Sequence, residues 1–437
     1  MARRKLKAGG SIPSGFGLKV FTKEELQKLH FATLEILWNT GIRVDSEEAL
    51  EIFYSFGAKV KANNGAAIVR IPRDLVEECL SWAPKAVILH GRDPALDYVM
   101  ESGRVGFSTF GECVRVIDPN TKQIRASTKN DLAWATRVCD YLDQMVVAER
   151  AMCASDQYPQ SQPLHNYEAM VQNTGKHVVL GCGTAANTRK IKEMAAACIG
   201  GSENFDSRPT VSAIVCSTSP LTLTQTCCEV VIECAKLNIG MVIIPLPLSG
   251  GTSPATVAGT IVIHNAEVLS VIALSQLTAK GTACTYGSCT TAMDLRTGTA
   301  SFGAPEHGII NACLTKLARH YQLPCWVGGG LSDSKIPDCQ AAYEFSLSSM
   351  LCALAGANVI YGAGCLDQGL AFDFAKLVMD AEQIQRILYT IEEVDLNVEA
   401  IALDVIHEVG PGGEFLSHEH TFDNMRKMSQ PDLFDRR

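Results

Sequence analysis

The residues with chemistry to offer gather at a few turns. Between residues 282 and 340 the chain reads TACTYGSC, then a helical pattern, then PCWVGGGLSDSK and PDCQ. Each short apolar run ends in a polar, glycine-rich turn, and a helix carries the chain to the next run. Run ends along the chain offer Phe110, Gly111 and Glu112, then Ser155 to Tyr158, and Ser249 to Thr252. Further on come Tyr286 and Gly287 with Arg296 beyond them, then Trp326, Gly328, Gly329, Gly330, Ser332, Asp333 and Lys335, and last Tyr361, Gly362, Gly364 and Asp367. Aromatics make up only 7% of the chain, yet Phe110, Tyr158, Tyr286, Trp326 and Tyr361 all fall there. Core packing accounts for any one of them. Together with Glu112, Asp333 and Asp367 they suit a cation, which gains roughly 0.5–2 kcal/mol from each aromatic face. Glycine removes side chains and lets a large flat object approach the backbone. Turns with positive φ explain any single glycine, whereas their recurrence points to a wide, open mouth.

Other chemistries find little support. No Ser-His-Asp or Cys-His pair assembles from these ends. His307 opens a helix after Pro305 and Glu306, and His264 lies inside another, so both read as packed or surface histidines. The seventeen cysteines include no CxxC, and neither the adjacent Cys227 and Cys228 nor the pair Cys284 and Cys289 has metal-site spacing. They read as buried thiols of a reducing cytoplasm. His407, His418 and His420 near Glu419 read as a surface loop packed on the main body rather than a metal site. A net charge of −9 argues against nucleic acid as a partner. No GxGxxG follows the first strand, which removes the main support for dinucleotide binding. The basic start MARRKLK is followed by no apolar run and reads as a solvated tail, not a secretory signal. Runs such as MVVA and MVIIPLPL are too short to cross a membrane.

The elements that must position these residues form a repeating unit. Eight strands are expected at 105–110, 144–153, 177–182, 210–217, 241–247, 283–288, 324–329 and 358–364. About 30 to 40 residues separate their starts, room for one crossover helix each. The expected fold is an eight-stranded TIM-type (β/α)8 barrel with an N-terminal, mainly helical cap. The cap spans residues 1–103, the barrel 104–396, and a tail at 397–437 packs on the barrel. In such barrels chemistry lies at the C-terminal ends of the strands. Thr22-Lys-Glu-Glu25 forms a capping box, and Ser219-Pro220 and Ser253-Pro254 are read as helix starts.

Several stretches carry a family resemblance over nearly the whole chain. They are GIRVDSEEAL, LHGRDPALDY, VIDPNTKQIRASTKNDL, SAIVCSTSPLTL, MDLRTGTASFGAPEHGIINA, LPCWVGGGLSDSKIPDCQAAYE, ALAGANVIYGAGCLDQGLAF and GPGGEFLSHEHTF. In this order and spacing the chain resembles the trimethylamine methyltransferase superfamily, in its branch without pyrrolysine. The resemblance implies a barrel that demethylates an amine and passes the methyl group to the cobalt(I) corrinoid of a separate small protein. No tightly bound cofactor is implied. Pyrrolysine-bearing members act on trimethylamine, and that residue falls near Ser332 to Lys335, where this chain has only standard residues. By analogy the substrate is a quaternary amine: glycine betaine, proline betaine, carnitine or γ-butyrobetaine. A homo-oligomer in the cytoplasm is expected. Members of the family continue past the point matching Arg437, so some docking or oligomer contacts are expected to be missing after DLFDRR.

Strand-end position then suggests roles. Phe110, Tyr286 and Trp326 form an ammonium cage, Glu112 and Asp333 balance its charge, and Lys335 or Arg296 meets a substrate carboxylate. Gly287, Gly328, Gly329, Gly330 and Gly364 form a rim facing the corrinoid. No catalytic acid or base is assigned, because a quaternary nitrogen leaves as a neutral amine. The alternatives are a non-catalytic scaffold that binds a corrinoid protein, and a barrel lyase or hydrolase acting on another small molecule.

Overall fold

Eight parallel strands close on themselves in the computed structural model, which describes residues 10–11, 17–63, 66–101 and 103–436. The basic segment at residues 1–7 lies outside them, as does Arg437. The strands are β1 (Arg104–Thr109), β2 (Ala148–Glu149), β3 (Val178–Gly181), β4 (Val211–Val215), β5 (Gly240–Ile243), β6 (Cys284–Ser288), β7 (Cys325–Gly328) and β8 (Val359–Ala363). From β2 onward each pairs with the next, and β8 returns to β1. A parallel bridge from Phe107 to Met145 completes the ring between β1 and β2. The expected second strand, 144–153, is thus mostly single bridges around a two-residue strand. The crossover helices are α1 (Lys129–Tyr141), α2 (Gln162–Val171), α3 (Ala185–Cys198), α4 (Gln225–Lys236), α5 (Val257–Thr278), α6 (Pro305–His320), α7 (Cys339–Ala355) and α8 (Phe374–Thr390).

Two expected helix starts differ. Ser219-Pro220 and Ser253-Pro254 lie in loops, and the caps are Thr224 before α4 and Thr256 before α5. A hydroxyl accepting the N–H three residues on serves both helices without proline. By length and composition α5 is also apolar enough to cross a membrane, contrary to the reading of the apolar runs. It is a core helix: from Thr260 to Leu277 it is buried except at Val262 and Ile263. The cap helices Lys23–Glu35 and Arg73–Trp82 pack on it, and Asn265 Nδ2 donates to Thr33 Oγ1 at 2.8 Å.

The cap is joined to the barrel through its sheet. Thr222–Leu223, in the loop after β4, pairs with Ile42–Val44, which pairs in turn with Ala66–Arg70. A hairpin of Val87–Leu89 and Tyr98–Met100 closes the N-terminal end, where Tyr98 donates to the Asn358 carbonyl at 2.7 Å. The other end carries two small sheets. Arg115–Ile117 and Ile124–Ala126 join Cys365–Leu366 and Ala371–Phe372, while Leu248–Ser249 joins the hairpin Thr291–Asp294 and Thr299–Ser301. These sheets make the rim a framework rather than a set of free loops.

Candidate active site at the mouth of the barrel

Glu149 is a buried carboxyl at the mouth, and residues of three strands hold it. It ends β2 and is buried. Ser108 Oγ on β1 donates to its Oε2 at 2.8 Å, and Trp326 Nε1 on β7 donates to the same oxygen at 3.1 Å. Its Oε1 has no hydrogen-bond partner among the described residues. Burial pushes the carboxyl up to about 8, outweighing the two donated bonds that favour the carboxylate. At neutral pH it is mainly a neutral acid.

Next to it stands a full ion pair. The Arg150 guanidinium, 6% exposed, donates to the Glu112 carboxylate, which is 54% exposed, and Arg150 Nε donates to the Gly111 carbonyl at 3.3 Å. Two glycines leave the carboxyls their room. A Cβ on Gly111 would stand 2.8 Å from Glu149 Oε1, and one on Gly181 would stand 3.0 Å from Glu112 Oε1. The hollow beside these carboxyls is bordered by β3 and β4, where Gly181 and Ile214 keep part of their surface exposed. Cys216 is exposed there too, yet its surroundings push its thiol up to about 12, as in a concave wall. The opposite wall is Tyr361, whose ring stacks on Phe110 at 6.1 Å and whose hydroxyl donates to the Ser288 carbonyl at 3.2 Å. Cys289 lies beside it, with its thiol also pushed up to about 12 by burial.

Several expected residues fall elsewhere. Phe110, Glu112 and Trp326 belong to the hollow. Tyr286 points the other way, into the helical layer, where its hydroxyl donates to Asn265 Oδ1 on α5 at 3.0 Å. Asp333 accepts the Phe302 N–H at 2.9 Å and anchors the hairpin after β6, and burial raises its carboxyl. Lys335 pairs with Asp367 at 2.8 Å and so ties the β7 loop to the β8 loop. Arg296 is 89% exposed at a hairpin turn and is held by Asp294 at 3.0 Å.

The rim glycines do not line an open bowl. A Cβ would meet His307 at Gly328, Cys352 and Ile360 at Gly329, Phe345 at Gly330, Phe372 at Gly364, and the Ile243 carbonyl at Gly287, all within about 3 Å. They let the rim pack closely against neighbouring helices and strands. The histidines are locked as well. His264 faces the Gly287 carbonyl and His307 the Thr290 carbonyl, and burial lowers them to about 3 and 4. No group of three His, Cys, Asp or Glu able to hold a metal occurs among the described residues. Glu149, Arg150 and Ser108 escaped the sequence reading. The available signal was the charged pair inside the apolar run MVVAERAM.

A barrel whose mouth sets aromatic rings around carboxyls meets a clear likeness in sequence. The family described as trimethylamine methyltransferase (MTTB) matches residues 12–437. The chain belongs to the trimethylamine methyltransferase family. This methyltransferase is 46% identical over 434 residues to trimethylamine methyltransferase MttB of Desulfitobacterium hafniense, covering 99% of the chain and 87% of the relative. It is 38% identical over 442 residues to MttB of Methanosarcina thermophila, covering 100% and 91%. To a glycine betaine methyltransferase of Desulfitobacterium hafniense it is 31% identical over 420 residues, covering 95% and 87%. The methyltransferase also shares its fold with the monomethylamine methyltransferase of Methanosarcina barkeri, at a TM-score of 0.56 and 11% identity over 88% of this chain and 79% of that one. The hydroxylamine complex of MtmB gives a TM-score of 0.58 at 12% identity, over 92% and 87%.

Proposed function

We propose that this methyltransferase takes a methyl group from a quaternary amine and passes it to the cobalt(I) corrinoid of a separate small protein. The observation that carries the reading is the cluster at the ends of β1, β2, β7 and β8, where Trp326 donates to the buried Glu149, Tyr361 stacks on Phe110 and Arg150 holds Glu112. The relatives' names, which refer to trimethylamine and glycine betaine, support an N-methylated substrate. When bound, the corrinoid supplies a strong cobalt nucleophile for in-line attack on a methyl carbon. The chain's own residues have to bind the cation, orient one methyl towards the opening and exclude water. A quaternary nitrogen departs as a neutral amine, so the depressed, locked histidines are no obstacle. The substrate class runs from glycine betaine and proline betaine to carnitine and γ-butyrobetaine.

The surface around the opening supports a protein partner. Val114, Tyr158, Leu246, Leu295, Ile336 and Leu370 are large, exposed apolar residues, each from a different loop on the C-terminal side of the strands. Such a ring is a docking surface in waiting, and it fits the corrinoid protein that must bring cobalt to the mouth. A homo-oligomer belongs to the same reading, supported by the exposed Val394, Leu396, Val398, Leu416 and Phe422 after α8. The seventeen cysteines, most of them buried, support a reducing, cytoplasmic setting.

The test is to mix the protein with a reduced corrinoid protein and a panel of methylated amines, trimethylamine included, and follow the cobalt absorbance. Methylation with one quaternary amine is the expected result. Turnover of trimethylamine alone replaces the substrate assignment. Tight binding of the corrinoid protein without turnover makes the chain a scaffold, and indifference to both makes it a barrel enzyme of another class.

A further inference from the structure

Within that reading, we infer that Glu149 meets the cationic nitrogen of the substrate and does so by giving up a proton. The hollow takes in a quaternary ammonium ion as Glu149 passes from carboxylic acid to carboxylate. In balance, Glu149–COOH and R4N+ become the ion pair Glu149–COO−·R4N+ and one proton released to solvent.

Three observations converge on this residue. Its Oε2 is fixed by Ser108 and Trp326, so the carboxyl cannot turn away. Its Oε1 has no partner among the described residues although the side chain is buried. That oxygen also lies beside Gly111, where no side chain stands. The point where a Cβ on Gly111 would stand is 2.8 Å from Glu149 Oε1 and 3.4 Å from Ile214 Cδ1, and Ile214 keeps exposed surface in the hollow.

The other groups around Glu149 supply no cation. Arg150, next along the chain, is committed to Glu112 and the Gly111 carbonyl, and Glu112 adds repulsion. From β1 and β7 come only neutral donors, Ser108 and Trp326. The Cys289 thiol and the Tyr361 phenol are both raised by burial and stay neutral near pH 7. An unpaired carboxylate in this setting is costly, so the empty hollow keeps the acid protonated, in line with its rise to about 8. A quaternary ammonium has no N–H to donate. It attracts Glu149 through charge alone, and only the carboxylate answers that attraction. A neutral ligand of the same shape has no such effect.

The experiment is calorimetric titration of the wild-type protein with tetramethylammonium chloride, in two buffers of different ionisation heat, with tert-butanol as the uncharged comparison. Near pH 6.5, about one proton is released per ion bound, and none with tert-butanol. The dissociation constant for tetramethylammonium falls about tenfold per pH unit from pH 6 to 7 and levels off above the Glu149 titration. Glu149→Gln binds the ion more weakly, with no proton release and no pH dependence. The proton count needs only the wild-type protein, so a poorly folded variant does not decide the matter. Flat affinity from pH 6 to 9 without proton release overturns the inference. If quaternary amines still methylate the corrinoid protein, the functional reading survives that result. If no methylated cation binds at any pH, both fall.

Discussion

Trp326 reaches across the barrel from β7 to β2, where its Nε1–H donates to Glu149 Oε2 at 3.1 Å. The fully buried indole therefore fills the space beside the acid and also fixes it. Trp326→Phe keeps most of the ring and drops the donor, leaving Ser108 alone on that oxygen. The expected cost is about 1–3 kcal/mol of stability, with a higher KM and a smaller change in kcat. Trp326→Ala also opens a cavity and costs about 3–5 kcal/mol. Denaturation curves and methyl-transfer kinetics of the two variants separate the roles. Equal losses in both would show that ring volume is secondary to the hydrogen bond.

Arg150 is buried and Glu112 is half exposed, so the two halves of their pair are unequal. Glu112→Ala strands the guanidinium with only the Gly111 carbonyl, at an expected cost of about 1–3 kcal/mol. Glu112→Gln keeps an acceptor and costs less. Arg150→Met leaves a carboxylate that reaches water, and stability falls mainly through lost packing. Thermal melts of the three variants check this order. A melt in which Glu112→Ala equals the wild type would mean that solvent already carries the charge of Arg150.

Two glycines on the mouth should respond in opposite ways. Gly330 has φ +123°, and a Cβ there would stand 2.7 Å from Phe345 Cε2. Gly330→Ala therefore strains the backbone and collides with a buried ring, costing about 2 kcal/mol or more. At Gly181 the nearest atom is the mobile end of Glu112, 3.0 Å away. Gly181→Ala should fold normally, crowd the hollow and raise KM several-fold. A melt and a saturation curve for each distinguish fold from function. Reduced binding with intact stability in Gly330→Ala would return that glycine to the rim of the site.

Arg296 turns back on Asp294, in its own hairpin, and Lys335 joins Asp367 at the surface. Neither geometry recommends them as anchors for a substrate carboxylate. Arg296→Ala should leave KM for glycine betaine and carnitine unchanged, and Lys335→Ala should cost at most about 1 kcal/mol of stability. A KM raised for carboxylated amines but not for tetramethylammonium would restore either residue to that role.

Much of the fold could be read from strand spacing, because most apolar runs end in a polar turn, often rich in glycine, and a helix fills each gap. The direction of side chains could not. Barrel strands are apolar on both faces, so alternation does not separate lumen from helix side, and Tyr286, expected at the mouth, faces α5 instead. The rim glycines were legible as turns, but what packs against them depends on other elements of the fold: Phe345 of α7 for Gly330, and the Ile243 carbonyl of β5 for Gly287. Glu149 and Arg150 were hidden inside the run taken as the second strand. Only the closed ring shows that Ser108 and Trp326, 218 residues apart in sequence, meet at the same carboxyl oxygen.

The buried acid also leaves a signature in stability. Burial pushes the Glu149 carboxyl up to about 8 in the folded protein, from an ordinary value of 4.5. The folded state therefore holds its proton more tightly than the unfolded chain. The stability this group contributes is complete below about pH 4.5 and is lost as pH rises to about 8, after which the loss is constant. Glu149→Gln has no such titration and keeps the same shape. The gap between wild type and variant should then move against the wild type by about 1.4 kcal/mol per pH unit from pH 5 to 8, and stay level from pH 8 to 9. Unfolding midpoints of both proteins at half-unit steps measure it directly. A constant gap across the range would mean that the carboxyl ionises as an ordinary glutamate, with water or a cation already at its Oε1.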